Sequence, residues 1–167
     1  MSWSKYRVYY SGSMQGAVEP RLDLGCQIVS HMKTNGAKVL SEHVPIADHA
    51  ERDALFLKNS GIDTKQENAN RLVHDQDMLW VEIATHLVVL ANAKGSYGVG
   101  MEIEHAVLKP RLGLNMTPVL ILRKEDTMDT LSWMVTGKLT NGYWVKGYLD
   151  DDHAIQLVTS FLDYFSL

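Results

Sequence analysis

Cysteine is nearly missing from this chain: of 167 residues, Cys26 alone is one. No disulfide can close within such a chain, and a reducing compartment is its natural setting. The cytoplasm is the expected location, with the nucleus also open. Long apolar runs are missing as well. No stretch approaches the length needed to cross a bilayer, and residues 1–7 contain no apolar segment of the kind that directs export. Positive charge is in deficit. Sixteen Lys and Arg against 20 Asp and Glu leave a net charge of -4, which argues against a long nucleic acid as partner. That deficit does not exclude a single phosphate, because backbone amides at helix N-termini hold one without basic side chains. With 46% hydrophobic and 22% charged residues, the composition also excludes disordered and collagen-like chains. At roughly 100–200 residues per domain, the length predicts one domain over residues 1–167.

What is present reads as strands alternating with helices. Arg7 to Tyr10 is a short apolar-aromatic run that ends in a glycine loop, Gly12 to Gly16, as a first strand does. Leu22, Cys26, Ile28, Val29 and Met32 suit a helix over 19–35, stopped by Asn35-Gly36. Val39-Leu40 begins a second strand leading into Ser41-Glu42-His43, and 45–63 has no clean period, which predicts an irregular excursion with at most one helical turn. Ala69, Leu72, Val73, Leu79, Trp80 and Ile83 have helical spacing, and Leu87 to Ala91 is continuously apolar, the pattern of a strand covered on both faces. A second glycine loop, Lys94 to Gly100, opens a helix that Pro110 and Gly113 end. Val119–Leu122 and Tyr143–Tyr148 read as the last strands, Asp129–Val135 as a short helix, and the C-terminal segment as an amphipathic helix capped by Asp150 to Asp152. This predicts an α/β fold: a mostly parallel five-stranded sheet with helices on both faces. Ligands of such folds bind beyond the C-terminal ends of the strands, so the loops after the first three strands are the candidate site.

Neither glycine loop fits a standard nucleotide motif. The first has Gly12-x-x-x-Gly16, not Gly-x-Gly-x-x-Gly, and in the second Ile103 stands where the third glycine belongs. No glycine is followed by the Lys-Ser/Thr pair of a P-loop. Hydride transfer and ATP hydrolysis therefore lose their support. Two readings of the loops stand: amides beside Ser13 and Ser96 that hold a phosphate or sugar hydroxyls, or glycines that only make tight turns.

Two carboxylates are placed for acid–base work. Glu102 is expected in the first turn of the helix that starts near Gly98, at the edge of the stripe Val99, Ile103, Ala106 and Val107, where the helix dipole favours its ionised form. Asp77 lies four residues after Val73 and three before Trp80, on an apolar face that raises a carboxyl pKa and suits a general acid. Two carboxylates in contrasting surroundings are the minimum apparatus for cleaving a glycosidic bond. The plainer readings are a first-turn acid that complements the dipole and a core aspartate paired with His74, with Asp75 a rival acid. Glu102-x-x-His105 imitates half a di-metal site, but no second such motif follows, and no metal is expected. Ser132 lacks the Gly-x-Ser-x-Gly elbow of a hydrolase triad, and the tryptophans and methionines read as packing residues.

Taken in order, Val8-Tyr9-Tyr10-Ser11-Gly12-Ser13, Ser41-Glu42-His43-Val44, His74-Asp75-Gln76-Asp77, Ser96-Tyr97-Gly98-Val99-Gly100-Met101-Glu102 and Leu131-Ser132-Trp133-Met134 form a series. It resembles the 2'-deoxynucleoside 5'-phosphate N-hydrolases of the nucleoside 2-deoxyribosyltransferase superfamily, from about Tyr6 to the C-terminus. The resemblance implies a flavodoxin-like, Rossmann-like homodimer that releases the base from a deoxynucleoside monophosphate without metal or cofactor. It implies Glu102 as nucleophile, Asp77 as the acid assisting base departure, and Tyr9 as the group orienting the nucleophile. Gly12, Ser13, Met14, Gln15, Gly16, His43, Ser96, Gly98, Gly100, Ser132 and Met134 would contact substrate, Ser132 across the dimer in the neighbouring subunit's phosphate site. Gln15 departs from the arginine usual in the family and removes a charge that would pair with phosphate. Residues 48–66 form a longer stretch than the family's, able to reshape the base pocket. A deoxyribosyltransferase and a non-catalytic nucleotide-binding module are the alternative expectations.

Overall fold

The computed structural model describes residues 2–12, 19–92, 96–138 and 140–166, with the backbone alone for 19–22. Five strands, β1 (Arg7–Gly12), β2 (Lys38–Val39), β3 (His86–Leu90), β4 (Val119–Lys124) and β5 (Tyr143–Tyr148), form one sheet in the order β2-β1-β3-β4-β5. Every pairing is parallel. Six α-helices accompany them: α1 (Glu19–Thr34), α2 (His49–Ser60), α3 (Ala69–Ile83), α4 (Tyr97–Leu108), α5 (Trp133–Thr136) and α6 (Asp151–Tyr164). This is the α/β, flavodoxin-like arrangement, in which the chain steps outward from β1 to β2 and then back across to β3. The crevice at the C-terminal ends of β1 and β3 is thus its topological switch point.

The two-residue period of a strand sorts the core into two layers. Val8, Tyr10, Val88, Leu90, Leu120 and Leu122 face α1 and α6, packing on Ile28, Met32, Val158 and Phe161. Tyr9, Leu87, Val89, Val119 and Ile121 face the other way, onto Phe56 of α2, Trp80 and Val81 of α3 and Ile103 and Ala106 of α4. Helices on both faces are why all five residues of β3 are buried.

Four local expectations are corrected. Within 45–63 lies a full helix, α2, whose Asp48 side chain accepts from the Glu51 amide at 2.8 Å and whose C-cap is Gly61 at φ 76°. It buries Phe56 alone among its residues, so its apolar period is faint. The stretch predicted as one short helix over 129–135 is a 3-10 helix, Glu125–Thr130, followed by α5. On α1 the buried stripe includes Leu24, Ile28, Val29 and Met32, and Cys26 is exposed. On α3 the apolar set divides: Trp80 is buried, as is Val81 from outside the set, whereas Leu72, Leu79 and Ile83 are exposed.

Two polar clasps set α3 against α4. Lys109, buried just past α4, donates to the Ala84 carbonyl at 2.9 Å, the Val81 carbonyl at 3.3 Å and the Thr117 hydroxyl at 2.6 Å. The carbonyls at the end of α3, which the helix itself leaves unpaired, are thereby satisfied. His105 Nε2 on α4 lies 3.2 Å from Glu82 Oε1 on α3. The two helices so joined carry Glu102 and Asp77.

Candidate active site

Tyr9 and Ser11, two apart on β1, point to the same side of the sheet, toward α4. The Tyr9 hydroxyl donates to Glu102 Oε1 at 3.0 Å, and the Ser11 hydroxyl donates to Glu102 Oε2. Each carboxyl oxygen therefore has its own donor from the same strand. Both donors are 1% exposed, so the bonds form away from bulk water.

Glu102 is the sixth residue of α4, which begins at Tyr97. It stands in the second turn, not the first, where the dipole's effect has largely fallen off. Burial consequently outweighs the helix: desolvation, with the charge of Asp77 adding to it, pushes Glu102 up to about 7, and the bonds from Ser11 and Tyr9 pull the other way. The expected preference for the ionised form is overridden.

Asp77 faces inward on α3 with Trp80 and Val81. Burial pushes its carboxyl up to about 6, and its Oδ1 is buried with no hydrogen-bond partner. A hydrogen bond with Tyr9 and the charge of His74 pull that carboxyl the other way, but His74 does not satisfy Oδ1 as a core aspartate paired with it would require. His74 instead lies 3.1 Å from the exposed Asp75, which also approaches Arg71 at 3.6 Å and stays outside the site. Glu102 and Asp77 both act on Tyr9, whose phenol is held above its ordinary range by burial and by the two charges. Three sequence-predicted residues, Tyr9, Asp77 and Glu102, thus meet in one electrostatic cluster.

Ser11 was absent from the expected site residues. Its signal was available in the strand period, because a residue two after Tyr9 shares its face.

His43, in the turn after β2, packs against Phe56 (ring centroids 4.9 Å apart) and Trp80 (5.8 Å). Its ring thus lies on the helix that carries Asp77. Burial lowers it to about 4, and its Nδ1 is buried without a partner. α2, through Phe56, supplies one wall of this ring cluster.

At the start of α4, Ser96 is the N-cap residue, yet its hydroxyl makes no capping bond. Gly98 and Gly100 are helical and exposed, with no positive φ, and a Cβ at Gly100 would meet nothing within 4 Å. Tight turning therefore does not account for these two glycines. They leave the helix's first turn bare on its outer side. Gly12 ends β1 beside Tyr10, whereas Ser13, Met14, Gln15 and Gly16 lie outside the described residues. Ser132 caps α5, accepting from the Met134 amide at 3.3 Å. Trp133 and Met134 are each 88% exposed, which corrects their reading as packing residues.

No family model matches the chain, and no curated protein matches it. The chemistry of the site therefore rests on its own side chains. A cavity of about 730 Å³ opens on the α1–α6 side, but its described walls include Asp126, Asp150, Asp151 and Asp152 against Lys124 and none of Tyr9, Asp77 or Glu102. Such a wall repels a phosphate. Among the described residues no three His, Cys, Asp or Glu side chains converge as metal ligands, and no helix is long and apolar enough to cross a membrane. What converges is a two-donor carboxyl and a second carboxyl, that of Asp77, with one buried oxygen left without a hydrogen bond, at the end of the sheet where α/β folds bind ligands.

Proposed function

We propose that the chain hydrolyses the N-glycosidic bond of 2'-deoxynucleoside 5'-monophosphates, giving free base and 2-deoxyribose 5-phosphate. The observation that carries this reading is the pairing of Glu102, gripped at both oxygens, with Asp77, whose Oδ1 awaits a partner. Ionised Glu102 attacks C1', forming an ester bond as the bond to the base breaks. The electron pair leaves with the base, which takes its proton from Asp77. Water then attacks C1' and gives a proton to the Asp77 carboxylate, and the ester bond's electron pair returns to Glu102.

The assignment needs the pair's one proton on Asp77. Burial lifts Glu102 to about 7 and Asp77 to about 6, which in the empty site favours the proton on Glu102. A base accepting a hydrogen bond from Asp77 offsets that difference, while the two hydroxyls on Glu102 already favour its charge.

The bare first turn of α4, with Ser96, supports binding of phosphate or sugar hydroxyls there, and Gln15 leaves that contact to amides and hydroxyls. A second copy of the chain is the proposed partner. Apolar stripes left open on α3 (Leu72, Leu79, Ile83) and α4 (Tyr97, Met101) suit such a contact, and the projecting Ser132 suits a phosphate contact in the neighbouring site. A panel of deoxynucleoside monophosphates and nucleosides, assayed for base release, tests the reading. Release from monophosphates is expected, and no release from any of them rejects it. Adding a second free base separates hydrolysis from transfer, since a deoxyribosyltransferase yields a new nucleoside.

A further inference from the structure

Ser11 occupies a position where a hydroxyl is costly. It is 1% exposed within the parallel pairing of β1 with β3, opposite Val89 and one residue before the end of β1. A serine side chain fills a buried strand position poorly, and its hydroxyl is stable there only with a partner. That partner is Glu102 Oε2. Tyr9, whose ring is set in the core, holds Oε1. With one donor the carboxyl could still turn about its last side-chain bond; with two it has a fixed plane.

We propose that Ser11 is a positioning residue for the nucleophile, gripping one oxygen of Glu102 while Tyr9 grips the other, so that the carboxylate meets C1' in one orientation. The catalytic half of this inference rests on Glu102 acting as nucleophile; the grip itself does not. The same donors serve the second half of the reaction. When water displaces the sugar from the ester, the departing group is the Glu102 carboxylate, and two waiting hydroxyls make it a better leaving group. The serine side chain, with a single rotor, can follow its oxygen between the free and esterified states.

The groups that face Glu102 among the described residues are Ser11 and Tyr9 from β1 and Asp77 from α3, and Asp77 in turn feels His74. Tyr9 stays neutral across the working range, since it lies above its ordinary value. Asp77 and burial push Glu102 up, and Ser11 opposes them. Loss of the Ser11 donor therefore moves Glu102 further up.

The test compares wild type, Ser11→Ala and Ser11→Cys, the thiol being a weaker donor. A carboxyl-13C glutamate label follows the Glu102 titration by NMR, and the pH dependence of kcat/KM for base release follows catalysis. The Glu102 midpoint should rise by about 1 pH unit in Ser11→Ala and by less in Ser11→Cys. The alkaline limb of kcat/KM, set by the higher of the two carboxyls, should move upward in the same order, with kcat falling more than KM rises. An unmoved Glu102 midpoint in folded variants overturns the grip, and a rate loss at every pH with an unmoved limb overturns its catalytic half. If Ser11→Ala does not fold, Ser11→Cys alone decides on the same readouts. If wild type releases no base, the hydrolase reading falls, and the titration still supports or overturns the grip.

Discussion

Glu102→Gln should stabilise the protein at alkaline pH while removing its activity. In the fold the Glu102 carboxyl is raised from 4.5 to about 7, chiefly by burial. A group whose folded pKa exceeds its unfolded one binds its proton more tightly in the native state, so stability falls as pH rises between the two values. Above both, the ionised carboxylate costs the fold about 3 kcal/mol relative to its neutral form. Glutamine has nearly the same shape and no charge to desolvate. Its amide nitrogen must face one of the two hydroxyls, which then turns to accept instead of donate. The expected stability difference in favour of Glu102→Gln is therefore about 2–3 kcal/mol at pH 8, shrinking toward zero near pH 4. Urea unfolding of both proteins at a series of pH values measures it directly. A difference that stays flat between about pH 4.5 and 7, or that favours wild type more as pH rises, would refute the claim that burial governs this carboxyl.

Further outcomes follow from the same geometry. Asp77→Asn removes the proposed acid and should slow base release by about 10²–10⁴; because the charge of Asp77 helps to raise Glu102, the Glu102 carboxyl should titrate at lower pH by 13C NMR, and an unmoved midpoint would contradict the pairing. Ser132→Ala should weaken phosphate-bearing ligands and spare nucleosides when binding is measured by calorimetry; equal weakening of both would contradict its role across a dimer.

The sheet and its layers were legible because burial on both faces writes continuous apolar runs into β3 and β4. Elements that bury little were not. α2 has one buried residue, so its apolar period is faint, although its capping signal, Asp48 three before Glu51 with Gly61 at the end, is present in the sequence. The stripe on α3 read as a single buried face because apolar residues look alike whether they meet the core or lie open, as Leu79 and Ile83 do. Within the site, residue types and spacing were enough to pick out Asp77 and Glu102, and the resemblance of its motif to a known family added Tyr9. The protonation balance was not, since it depends on where α4 starts. A helix beginning at Tyr97 puts Glu102 past the first turn, and burial then outweighs the dipole. Ser11 shows the converse: its role needed only the two-residue period of β1, applied from Tyr9.

The most direct test of the central claim is intact-mass analysis of acid-quenched mixtures with a deoxynucleoside monophosphate, run alongside assay of released base. Wild type should release base and show a fraction of protein carrying one 2-deoxyribose 5-phosphate unit, mapped by peptide analysis to Glu102, with both signals lost in Glu102→Ala. Base release by Glu102→Ala at the wild-type rate, or an adduct on any other residue, would contradict it.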